Sequence, residues 1–96
     1  MKPELKSGIA AISSAGRDKG RAFVVLCEVD ANFVMVCNGS SRTFDRPKKK
    51  RRKHLIPTRH EMQDLPEKIA GKTLRDQDIR TFLERLGNPD YPDRPD

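Results

Sequence analysis

Arg46-Pro47-Lys48-Lys49-Lys50-Arg51-Arg52-Lys53 packs seven cations into eight residues. Upstream, Arg17, Lys19 and Arg21 alternate with Asp18 and Gly20 in a shorter basic stretch that opens at Gly16. Arg42 lies between the two. The chemistry that such residues do best is phosphate binding. Each Lys or Arg that meets a nucleic-acid phosphate releases condensed counterions. Lysine supplies a mobile point charge, whereas arginine can fork onto a phosphate or lie flat on a base. Seven adjacent charges resist burial, so the run is expected in solvent as a loop. Two blander readings stay open for it: an ordinary solvated loop, or a basic targeting run of the nuclear-import type. For Gly16 to Arg21 the bland reading is a hairpin turn that binds nothing.

Other reactive residues form no constellation. Cys27, Cys37, His54 and His60 are the soft metal ligands, but the cysteines are too far apart for a zinc knuckle. No Ser or Cys has an evident His partner, and no glycine-rich phosphate loop or apolar carboxylate pair occurs. Asp76 and Asp78 suit a helix start. The chain is therefore expected to be no enzyme, and to need no cofactor, metal or small-molecule substrate. Exposed aromatics are expected to be scarce. Phe23, Phe33 and Phe44 fall in strand-like runs as core candidates, Phe82 belongs to a helical stripe, and Tyr91 sits in the tail.

The elements that must position these residues are short. Gly8 to Ser14 reads as a small-residue strand, and Gly16 with Gly20 shapes a tight turn that needs unusual torsions. Ala22 to Val29 and Phe33 to Cys37 are rich in β-branched and aromatic residues and are separated by Asp30-Ala31-Asn32. Pairing across that turn sets Val29 opposite Phe33, Cys27 opposite Met35 and Val25 opposite Cys37. Those residues, with Phe23, would then share the inward face, both cysteines included. Asn38-Gly39 signals a turn. Arg42-Thr43-Phe44 reads as a fourth strand and His54 to Thr58 as a fifth.

Thr73-Leu74-Arg75-Asp76 resembles a capping box, and Ile79, Phe82, Leu83 and Leu86 recur at helical spacing. A helix over Leu74 to Leu86, stopped by Gly87, is expected to pack on the strands. One helical turn is expected after Pro66. The first six residues are expected to fray, and Asn88 to Asp96 to be disordered. Five strands in this length suggest a small barrel.

At 96 residues the chain suits one domain, and a net charge of +6 with a pI near 9.7 favours polyanionic partners. From Arg42 to His60 there are nine Lys or Arg and one acid, Asp45. Neither a secretion signal nor a stretch of transmembrane length is visible, so a cytoplasmic location with free thiols is expected.

The Ser14 to Arg21 stretch, with Gly8 before it and Phe23-Val24-Val25 after it, resembles the KOW motif. Asn38-Gly39, Arg42, Pro47 to Lys50 and Lys53-His54-Leu55 extend the likeness. Together they are similar to short bacterial KOW-domain proteins related to the fourteen-e class of large-subunit ribosomal proteins. The resemblance spans about Ser7 to Pro57 and implies a mainly β, five-stranded Src-homology-3-like barrel that binds RNA, often ribosomal RNA. It implies a KOW-like barrel over 1-58 with a basic loop at 46-53; the helical extension over 59-87, which departs from the motif, and the tail over 88-96 are read from the residues themselves. It assigns RNA contact to Arg17, Lys19, Arg21, Arg42, Arg46, Lys48, Lys49, Lys50, Arg51, Arg52 and Lys53, shaped by Gly16, Asp18 and Gly20. Ala10-Ala11 departs from the pattern, because bulkier strand residues are common there.

The expected function is non-catalytic RNA binding on the ribosome, with ribosomal proteins as further neighbours. The competing readings are a transcription-associated KOW module and a polybasic membrane-surface adaptor. The missing lipidation site and basic amphipathic helix count against the adaptor.

Overall fold

The computed structural model describes residues 4–86. The expectations for Gly87, Tyr91 and the tail Asn88 to Asp96 lie outside the described residues. Ile9–Ser13 (β1), Ala22–Glu28 (β2), Phe33–Cys37 (β3), Lys48–Arg51 (β4) and Leu55–Glu61 (β5) pair antiparallel in the order β4-β3-β2-β1-β5. Leu65–Ala70 (α1) and Asp76–Leu86 (α2) follow. A single 3-10 turn, Arg52–His54, joins the two edge strands, and no ladder pairs them. The sheet thus curls into a barrel-like form that hydrogen bonds do not close. The mainly β, five-stranded fold with a C-terminal helix agrees with expectation.

The sheet is covered on both faces. Ala11, Phe23, Val25, Val34, Val36, Leu55 and Leu5 fill its concave side. On the convex side Val24 and Cys37 pack under Met62, Leu65, Leu74 and Ile79, flanked by Leu26, Phe44, Phe82 and Leu83. β1 is buried along its whole length. Ala10 and Ala11 are small because each faces a filled core. Leu5 is 8% exposed and packs into the core, against the expected fraying, and Met1 to Pro3 lie outside the described residues. The apolar stripe of α2 packs on the sheet as expected, with Ile79 fully buried. The helix begins later than expected, at Asp76. There the Asp78 carboxylate accepts from the Arg75 N–H at 3.0 Å, the role a capping box gives its acid.

Two strand expectations are corrected. Arg42-Thr43-Phe44 is not a strand; the fourth strand is Lys48–Arg51, inside the basic run. Charged side chains tolerate a strand because they alternate. Lys48 and Lys50 pair opposite Val36 and Val34 and lay their stems along the concave core, whereas Lys49 and Arg51 point outward. Lys50 is only 8% exposed, so the run is not wholly solvated. As an edge strand, β4 is also guarded by its charges against pairing with another chain.

The inward face is corrected as well. Cys27 does oppose Met35, but Val25 opposes Val36 and Val24 opposes Cys37, with the register shifting between Val25 and Cys27. Leu26 is the extra residue of a bulge. A one-residue slip exchanges the faces of a strand. Val34 and Val36 therefore line the barrel, while Phe33 and Met35 lie on the outside. Val29 is 45% exposed. Cys27 is exposed and Cys37 buried, so the two thiols do not both point inward. Burial, and then the nearby Asp76 charge, push the Cys37 thiol up to about 12. Because the thiolate is the reactive form, a maleimide should label one thiol per native chain, at Cys27. Mass spectrometry of the labelled peptides checks this; Cys37 should react only after denaturation.

Candidate nucleic-acid interface

The β1–β2 loop is built from backbone hydrogen bonds. The Gly20 N–H donates to the Ser13 carbonyl at 2.7 Å, and the Arg21 N–H donates to Asp18 at 2.8 Å. Gly16 and Gly20 adopt φ of +75° and +88°, as the spacing predicts. The exposed side chains of Arg17, Lys19 and Arg21 project from this loop.

Asp18 points the other way. Its carboxylate accepts from Lys48 Nζ at 3.0 Å, binding the loop to the first residue of β4. That hydrogen bond, with the charges of Lys48, Lys50 and Arg21 around it, holds the carboxyl below its usual range against the opposing effect of burial. The loop is fastened again where the Ser14 N–H donates to the His54 carbonyl at 2.9 Å. The two basic segments, 30 residues apart at Asp18 and Lys48, are thus parts of one surface.

The predicted cations divide into two groups. Lys48 is held by Asp18. Lys50 is buried, and desolvation, followed by the repulsion of Lys48, lowers its pKa. Arg52 is an anchor: its Nε donates to the Asp30 carbonyl at 3.0 Å, and its Nη2 pairs with Glu28 at 2.9 Å. Its Nη1 reaches the Leu5 carbonyl at 3.4 Å. Lys48 and Arg52 therefore fasten the barrel, while the Lys50 stem fills it at a cost to its charge. The other eight, Arg17, Lys19, Arg21, Arg42, Arg46, Lys49, Arg51 and Lys53, are exposed. None of the eight forms an ion pair among the described residues.

The register arranges these eight. Val24 opposes Cys37 and Val36 opposes Lys48. The end of β3, the start of β4 and the β1–β2 loop are therefore at one end of the sheet, together with Arg42 and Arg46. Lys49 lies midway along the edge strand, and Arg51 and Lys53 lie at the far end beside the β2–β3 hairpin. The result is a stripe of positive charge along one edge, about 10 Å long over the strand itself.

Beside this stripe the chain is similar to the large ribosomal subunit protein eL14 of Desulfurococcus amylolyticus. The two are 36% identical over 89 residues, which cover 93% of this chain and 86% of the relative. The chain belongs to the eL14 family. No protein-family model matches it. Membership of the eL14 family agrees with the fourteen-e likeness of the KOW-type loop and basic run. Because the likeness covers 93% of this chain, it extends to α1 and α2, which the KOW motif does not include.

Two residues of this eL14-family surface escape sequence reasoning. Phe33, expected in the core, is half-exposed on the outer face with Lys49 Nζ 4.6 Å and Arg51 Cζ 5.0 Å from its ring centroid. Asn32, expected only to form a turn, borders a small cleft of about 250 Å³ with Ala31, Arg51, Arg52 and Lys53. The bulge at Leu26, which no sequence motif marks, separates the face of Phe33 and Met35 from that of Phe23 and Val25. Among the described residues, no three His, Cys, Asp or Glu side chains cluster as a metal site would require. No helix among them is long and apolar enough to cross a membrane.

Proposed function

We propose that this chain is a non-catalytic component of the large ribosomal subunit that binds ribosomal RNA with the edge stripe. The observation that carries the reading is the division of the cations. Lys48 and Arg52 are used internally to fasten the β1–β2 loop, β4 and the hairpin, Lys50 is buried, and eight remain on the surface outside any ion pair among the described residues. A solvated loop needs no such fastening. A rigid, uncompensated row of charges suits a phosphate backbone, whose shape it can match at low ordering cost. Membership of a family of large-subunit ribosomal proteins supports the ribosome as the setting and the cytoplasm as the location. Neighbouring ribosomal proteins are the further partners.

Salt titration of affinity for a structured ribosomal RNA fragment tests the reading. With about four to six phosphate contacts, log K should fall against log salt with a slope of about −3 to −5. Neutralising Arg17, Lys19 and Arg21 to Gln should flatten that slope by about two to three. Lys50→Met, which removes a buried charge, should leave the slope unchanged. A flat salt dependence in the wild type, or equal loss from Lys50→Met, would overturn the proposal.

A further inference from the structure

We propose that the corner between the β2–β3 hairpin and β4 is a pocket for one unpaired RNA nucleotide, with its base stacked on Phe33 and Arg51. The inference deepens the proposed function and rests on it: the stripe would track the backbone, and this corner would hold a base that leaves the helix.

Four observations support it. Phe33 is an aromatic residue of the outer sheet surface, beyond the part covered by the helices, and Lys49 and Arg51 lie over its ring. A guanidinium plane above a ring extends the stacking surface, and both kinds of plane accept a nucleobase. Arg51 also lines the cleft of about 250 Å³ with Ala31, Asn32, Arg52 and Lys53, so the stack and the cleft share a wall. A base on the ring would leave its phosphate within the field of Lys49 and Lys53.

The corner is held rigid by its own contacts. The Asp30 carboxylate accepts from the Asn32 and Phe33 N–H groups, each at 2.8 Å. These hydrogen bonds, the Asn32 one foremost, keep the carboxyl below its usual range although burial opposes them. Arg52 joins this tip to the 3-10 turn by donating to the Asp30 carbonyl at 3.0 Å, and its own N–H donates to the Asn32 carbonyl at 2.9 Å. The Asn32 backbone is thereby fixed while its exposed side-chain amide makes no hydrogen bond among the described residues. It offers a donor and an acceptor to a base edge. A tip built only to turn the chain needs neither the flanking aromatic ring nor two unpaired cations.

The test compares two RNA hairpins of the same stem, one fully paired and one with a single bulged 2-aminopurine, binding to wild type, Phe33→Leu and Arg51→Lys. Leucine keeps apolar bulk without a stacking face, and lysine keeps the charge without the plane. Wild type should prefer the bulged hairpin and quench its fluorophore. Phe33→Leu should weaken bulged-hairpin binding by about ten- to a hundredfold and abolish the quench. Arg51→Lys should weaken it less. Phe33→Leu should alter neither paired-hairpin binding nor the salt slope, and thermal melts of both variants should match wild type. If wild type binds neither hairpin, the RNA-binding reading itself fails. If it binds both equally without quench, or if Phe33→Leu weakens both alike, only the nucleotide pocket is overturned.

Discussion

Gly39→Ala should lower stability by about 2–5 kcal/mol and release α2 from the sheet. Two independent effects add. Gly39 has φ of +76°, in the left-handed region where a side chain costs about 1–2 kcal/mol. A Cβ there would also lie 2.5 Å from the Asp76 carbonyl oxygen and 2.9 Å from Arg80 Cγ. Overpacking of this kind costs about 1–3 kcal/mol, and the Asp76 oxygen belongs to the helix backbone, so it has no rotamer in which to escape. The same loop is sewn to α2 by Arg80 Nη1, which donates to the Gly39 carbonyl, and by the Phe44 N–H, which donates to Asp76 Oδ1 at 2.9 Å. Moving the helix outward would break both and uncover Ile79. Urea unfolding followed by circular dichroism measures the loss. Gly16→Ala is the control: its φ is +75°, yet nothing lies within 4 Å of the added Cβ. It should cost only the torsional part. Equal losses at the two sites would show that helix contact is not what Gly39 serves.

Asp18→Ala should destabilise the fold by about 1–3 kcal/mol and weaken RNA binding, although it makes the chain more positive. Simple charge counting predicts the opposite for binding. The reason lies in what Asp18 neutralises. Its side chain is 17% exposed and sits 3.0 Å from Lys48 Nζ, with Lys50 buried close by. Without it, two ammonium groups over an apolar core repel each other, and the β1–β2 loop loses its tie to β4. Arg17, Lys19 and Arg21 would then no longer be held in line with the edge strand. Lys50→Met in the Asp18→Ala background should recover much of the stability, because the repulsion goes and the apolar stem remains.

The pH dependence carries two opposite signs. Asp18 is held below its ordinary 3.8. Its contribution is therefore complete above that value and is lost as pH falls through the lower, folded-state value. Asp18→Ala should remove this acid limb. Lys50 is held below its ordinary 10.5. The folded chain thus gives up that proton more readily than the unfolded chain, and stability due to Lys50 rises with pH across the alkaline interval between the two values. Lys50→Met should abolish that rise. Melting curves from pH 2 to pH 11 would show both limbs; an acid limb unchanged by Asp18→Ala would remove the argument.

The parts of this protein that the sequence alone determines are those governed by local rules. Ile79, Phe82, Leu83 and Leu86 mark α2 because helical spacing is a property of neighbours along the chain. Gly16, Gly20 and Gly39 mark turns because their torsions are costly to other residues. The first three strands are visible in their β-branched runs, and the two basic segments are visible as charge. Tertiary structure alone decided what depends on pairing partners. β4 is a strand because β3 supplies its hydrogen bonds and its alternation of buried and outward lysines; no run of cations announces that by itself. One extra residue at Leu26 reversed the faces of the hairpin, put Phe33 on the outer face and Cys37 under the helices, and left Cys27 in solvent. Burial also divided the cations, turning Lys48 and Arg52 into fasteners, sinking Lys50 into the core, and leaving the other eight on the surface. Charge is written in the sequence, but desolvation and proximity, which decide whether a charge holds a fold together or faces a partner, exist only once the chain has folded.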